Sequence, residues 1–148
     1  MEQKIIRTLN VYYYGIMALI LLAGTLAYFL IMKDYVQPID SLSTLGQAIQ
    51  YVVIFDALVT IPLGLYLCKK QCTKLSVLDN EEEKLQGYKK AASLRILLVS
   101  NTMVFAIAAF YLMGAYQSML WVAAVSAIGW YFTKPSERKM ELELQPKD

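Results

Sequence analysis

The chain has 148 residues, 57% of them hydrophobic, and a formal net charge of +2. A soluble domain of this size is about half apolar and does not gather its apolar residues into runs of near 20, so a polytopic membrane protein without a separate soluble domain is expected. The small net charge argues against nucleic-acid binding. The absence of histidine removes the commonest metal ligand and general base.

The first apolar segment, about 9–32, follows Lys4 and Arg7. It is longer than the apolar region of a cleavable signal and lacks a small-residue cleavage site, so it reads as a retained first span. Tyr12, Tyr13 and Tyr14 at one end and Tyr28 at the other stand where amphipathic rings meet headgroups. The next loop, 33–46, contains Pro38, and Ser41, Ser43 or Thr44 is expected to cap the helix that follows. The second span, about 47–68, carries Asp56 near mid-depth. Pro62 lies beyond it and cannot donate to the Leu58 carbonyl, which predicts a kink.

Asn80 before Glu81, Glu82 and Glu83 predicts an N-cap with acids in the first turn. One helix is expected from about Glu81 to Met113, containing the third span, about 96–113. The stretch 69–95 should form a helical hairpin, Leu75 and Leu78 packing on Leu85 and Tyr88. A short uncharged connection leads to the fourth span, about 118–133, with Trp121, Trp130 and Tyr131 as interfacial anchors and Lys134-Pro135 as its stop. The tail, 134–148, is expected to be a short surface helix with a frayed end. The second and fourth spans end alike, LGLYLCK and IGWYFTK. That echo fits either an old duplication or two ends adapted to one interface.

The fold class is therefore all-α, with four transmembrane helices as two antiparallel hairpins and helices 2 and 3 extended beyond the bilayer. Of the 14 Lys and Arg residues, all but Lys33 fall in the N-terminus, the stretch 69–95 or the tail. Basic segments resist translocation, so both termini and the hairpin are expected in the cytoplasm.

The segments KLQGYKKAASLR, followed by the third span, and WYFTKPSERKMELEL resemble an uncharacterised family of small four-span bacterial inner-membrane proteins. The resemblance is strongest in the second half of the chain. It implies a multi-pass protein of the cytoplasmic (inner) membrane and carries no activity. Relatives often place an acid where Ser100-Asn101 stand here, which would make that acid dispensable or pass its role to Asn101.

Asp56 is the sharpest candidate for chemistry. A carboxylate at the centre of a span costs roughly 3 kcal/mol on insertion scales, so it must face the bundle or a wet cavity. Thr60 lies one turn away, and depth arithmetic places Asn101 and Ser126 near the same level. The cluster Asp56, Thr60, Asn101 and Ser126 reads either as a proton or cation relay or as interhelical glue. Cys68 and Cys72, at i and i+4, lack the further ligands zinc needs and the C-x-x-C spacing of a redox pair, so they read as reduced, packed thiols. Lys69, Lys70 and Arg95 flank spans and are expected to contact lipid headgroups, anionic ones in particular. Ala123, Ala127 and Gly129 form a small-residue seam for an internal helix contact or an oligomer.

No nucleophile–base pair, metal set or phosphate-cradling loop is visible, and no catalytic residue or cofactor is assigned. Two functions are expected from this. One is a non-enzymatic accessory, assembly or lipid-interacting component whose partners are the phospholipid bilayer, other membrane proteins or a second copy. The other is a small oligomeric proton- or cation-coupled transporter or channel with Asp56 at its coupling site.

Overall fold

The computed structural model describes residues 1–114 and 116–146. Ala115 of the fourth span's connection, and Lys147 and Asp148 of the tail, lie outside the described residues. The chain folds into α1 (Glu2–Met32), α2 (Thr44–Leu75), α3 (Glu81–Leu112), α4 (Gln117–Phe132) and α5 (Glu137–Leu144).

The expected caps form. The Ser43 hydroxyl accepts from the Gly46 N–H, and the Asn80 side chain accepts from the Glu82 N–H. The three glutamates Glu81, Glu82 and Glu83 then occupy the positive end of α3. Pro62 lies inside α2, which runs on past it to Leu75. Gly114 follows the end of α3 with φ of 67°, the left-handed conformation that closes helices and suits glycine.

α1, α2 and α3 are each long and apolar enough to cross a membrane. Their apolar residues face outward: only 6% of the most apolar window of α1 is buried, against 39% in α3. Leu19, Leu22, Leu26, Phe55 and Leu58 are among the exposed side chains. A continuous outward apolar surface of this extent needs an apolar solvent or a partner. α4 has 16 residues, about 24 Å at 1.5 Å per residue, and is short against a hydrocarbon core of ~30 Å.

The helices do not pair as two independent hairpins. α3 is the shared partner of α2, α4 and α1, and α1 makes no comparable contact with α2 among the described residues. The physical reason lies in the side chains. Ala91, Ala92, Ala106 and Ala109 of α3 are buried, and small residues let neighbouring backbones close in from several sides. Gly64 of α2 and Gly129 of α4 face the same turn of α3. A Cβ at Gly64 would lie 3.5 Å from Leu98, and one at Gly129 would lie 3.7 Å from Val99 and 3.3 Å from Ile61. The glycines of the echoed endings thus both sit against α3, and Gly129 meets α2 as well.

Three apolar clusters stack along the bundle. At one end Ile5 and Leu9 of α1, Cys68 and Cys72 of α2, Leu85 and Tyr88 of α3, and Met140 and Leu144 of α5 pack together. Tyr13, Ile96, Val99 and Trp130 form the next layer. Val53, Ala106, Ala109, Met113 and Met119 form the opposite end. This order brings the start of α1, the end of α2, the start of α3 and the tail to one end, which is the basic end of the molecule.

Two details correct the sequence reading. Trp130 does not face outward as an interfacial anchor would. It is buried and stacked on Tyr13, ring centroids 4.0 Å apart at 8°. Of three successive tyrosines on a helix only one can face the bundle, and Tyr13 does so while Tyr12 and Tyr14 point outward. The tail forms its expected short helix, α5, which docks by Met140 and Leu144, buried at i and i+4, and is capped by the Ser136 hydroxyl. In the hairpin Leu75 packs beside Leu85 and Tyr88 as expected, whereas Leu78 is exposed.

Candidate functional site

The polar residues within the bundle do not converge as one cluster. The Thr60 hydroxyl donates to Asp56 Oδ1 at 3.0 Å, as their i, i+4 spacing on α2 allows. Asp56 Oδ2 is buried without a hydrogen-bond partner among the described residues. Ser126 is fully buried, but its hydroxyl donates to the Val122 carbonyl of its own helix at 2.8 Å. Asn101 is exposed on α3. Its neighbours Ser100 and Thr102 are the buried ones, and both hydroxyls bond carbonyls of α3 itself. Depth arithmetic gives the level of a residue and not its direction around the axis, and Asn101 is turned away from the core. The four-residue cluster therefore reduces to the pair Asp56–Thr60.

The densest polar constellation lies at the basic end, and two of its members come from the tail. Arg95 was expected at the headgroup plane. Instead its side chain is 4% exposed and its Nη1 donates to Glu143 Oε1 of α5 at 2.9 Å. The face of α3 that carries Tyr88, Ala91, Ala92 and Ile96 is buried, and Arg95 falls on it. Lys69 and Lys70 are exposed, as a headgroup contact requires.

Around this ion pair stand Cys68, Cys72, Tyr88 and Lys139. The two sulfurs lie 3.9 Å apart, and with a carboxylate oxygen of Glu143 they form a set within 4.8 Å of one another. Burial works against charge on Arg95, but the Cys68 sulfur and the Glu143 carboxylate outweigh it, and its pKa lies above the ordinary value. The hydrogen-bonded Cys68 sulfur and burial push the Cys72 thiol up. Burial and the Glu143 carboxylate push the Tyr88 phenol up, and burial and Arg95 push Lys139 down. The chemistry that follows is restrained. Cys72 is held as a thiol, a poor nucleophile and a poor ligand. Glu143 is already paired with Arg95, so a metal ion at the three ligand atoms would have to compete with that guanidinium.

The ion pair works as a clasp. It ties α5 to α3, while Lys139 reaches back to the Phe132 carbonyl and Met140 and Leu144 fill the cluster beneath. A cavity of about 530 Å³ lies beside it, with Lys69, Arg95, Lys139 and Glu143 among its walls. The sequence reading missed Glu143 and Lys139, and took Tyr88 only as a packing residue of the hairpin. The available signal was the tail's own pattern, in which Met140 and Leu144 share a helical face beside Glu143, after the capping serine Ser136.

The seam residues divide. Gly129 meets Ile61 and Val99, and Ala123 packs against the far cluster, so both serve internal contacts. Ala127 is half-buried. No family model, curated protein or solved structure matches the chain.

Proposed function

We propose that the protein is a non-enzymatic, multi-pass component of a bacterial cytoplasmic (inner) membrane, serving as an accessory or assembly partner that also contacts lipid. In this reading α4 is the fourth span, both termini lie in the cytoplasm, and the basic end faces the cytoplasm because cations are retained there. Lys69 and Lys70 meet headgroups. The resemblance of the second half to small four-span inner-membrane proteins is consistent with it.

The observation that carries this reading is the clasped basic end. Three helices and the tail are fixed together by a buried ion pair and an apolar cluster, with exposed lysines around them. Its buried polar groups lock a surface rather than aim at a reacting atom, and a rigid surface is what a docking partner needs. Purification in gentle detergent tests it: a stoichiometric protein partner or retained lipid is expected, and a bare monomer contradicts it.

One observation favours the transport alternative, the buried and unpartnered Oδ2 of Asp56. Asp56→Asn abolishes proton or cation flux in vesicles if that reading holds, and unchanged flux removes it.

A further inference from the structure

An open groove of about 730 Å³ runs between the first turns of α1 and the second to fifth turns of α3. It is distinct from the clasp and from the sequence-predicted headgroup contacts. Lys4 of α1 and Lys89 and Lys90 of α3 line one part of it, and Tyr12, Leu94 and Leu97 line another. No Asp or Glu is among its lining residues. The cavity beside the clasp differs in this respect, because Glu143 lines it and holds Arg95.

The two helices run side by side from the basic end, since Ile5 and Leu9 pack with Leu85, Tyr88 and Ala92. From Lys4 to Tyr12, and from Lys89 to Leu97, the wall advances about 12 Å along each helix. The lining therefore changes from cationic to apolar along each helix, in the direction that leads from headgroups into hydrocarbon in the orientation proposed above. All three lysines are exposed and unpaired among the described residues, so their long stems can follow a headgroup. The Thr8 hydroxyl between them is taken up by the Lys4 carbonyl and does not compete.

We propose that this groove seats an anionic phospholipid of the cytoplasmic leaflet, with its phosphate on Lys4, Lys89 and Lys90 and its acyl chain along Tyr12, Leu94 and Leu97. The inference rests on the membrane orientation proposed above. The occupant is an amphiphile because the groove is one: a free phosphate would leave the apolar part unfilled, and a second copy of this basic end would bring like charge to like.

The test is native mass spectrometry of the purified full chain, supplied with phosphatidylglycerol or phosphatidylcholine in equal amounts. Phosphatidylglycerol is expected to be retained roughly tenfold or more over phosphatidylcholine, the preference that two or three lysines near a lipid surface confer. The triple variant K4Q/K89Q/K90Q should lose that preference, while K74Q/R138Q, which lies outside the groove, should keep it. Circular dichroism on each variant checks that helix content is retained. Equal retention of the two lipids by the unaltered protein overturns the proposal, as does an undiminished preference in the folded triple variant. Displacement of the lipid by millimolar inorganic phosphate would make the site one for free phosphate and overturn it too. Loss of a dimer in the triple variant, without change in lipid retention, would assign the groove to a second copy. Lipid preference is read on the isolated protein, so it fails or stands separately from co-purification of a protein partner.

Discussion

Arg95 and Glu143 set the behaviour of the basic end one side chain at a time. Arg95 is almost wholly buried and Glu143 is a quarter exposed. Removing the acid alone strands the cation, whereas removing both leaves space that an apolar side chain can fill. Glu143→Gln is therefore expected to destabilise by about 2–4 kcal/mol, with the partial exposure of the acid favouring the lower part of that range. The double variant Arg95→Met/Glu143→Gln should recover at least about 1 kcal/mol. Unfolding midpoints in detergent measure both, and equal loss in single and double variants would mean that the pair is not coupled. The Tyr88 phenol gives a second residue-scale prediction. Burial raises its folded pKa, so it favours the fold while protonated in both states. Once the pH exceeds the unfolded value of 10.0, the unfolded chain releases a proton that the folded one keeps, and stability falls as the pH rises. The unfolding midpoint is expected to drop above about pH 9.5, and Tyr88→Phe should flatten that drop.

The legible and illegible parts of the chain separate clearly at the scale of the element. Asn80 with three following acids announced the start of α3, Ser43 was among three named caps for α2, and the observed α3 ends one residue before the expected Met113. These are local signals, written within one turn of the feature they specify. Asp56–Thr60 was legible for the same reason, since i and i+4 are neighbours on any helix. The Arg95–Glu143 clasp was not, because 48 residues and all of α4 separate its partners. Nor was the turning of Asn101 away from the core, because α3 is contacted by three helices and no single apolar stripe fixes its rotation. The docking of α5 gives a direct prediction. Met140→Ala removes a fully buried side chain from a helix of 8 residues, so the tail should release before the bundle unfolds. Cys72, 2% exposed beneath it, should then react with a maleimide at a rate at least tenfold above that of the unaltered protein. Unchanged protection would show that α5 is held by other contacts. At the opposite face Gly129→Val should cost about 1–3 kcal/mol, because Ile61 already lies 3.3 Å from where a Cβ would stand, while Gly64→Ala, with 3.5 Å to Leu98, should be nearly neutral.

For the whole molecule, one helix organises the rest and one solvent explains the surface. α3 collects its neighbours through small buried residues, and α1 and α2 turn their large apolar side chains outward, where water would penalise them heavily. The distribution of charge then gives the assembly a direction, with Lys4, Arg7, the cations of 69–95 and Lys134, Arg138 and Lys139 at one end and Lys33 at the other. Single-cysteine labelling of intact and lysed cells with an impermeant maleimide tests this most directly, in a background carrying Cys68→Ser and Cys72→Ser. Reporters at Asp40 and Gln117 should label in intact cells, and reporters at Glu82 and Glu137 should label only after lysis. Labelling of Glu82 and Asp40 from the same side, or of Gln117 and Glu137 from the same side, would contradict a chain that crosses the bilayer four times with its basic end inside.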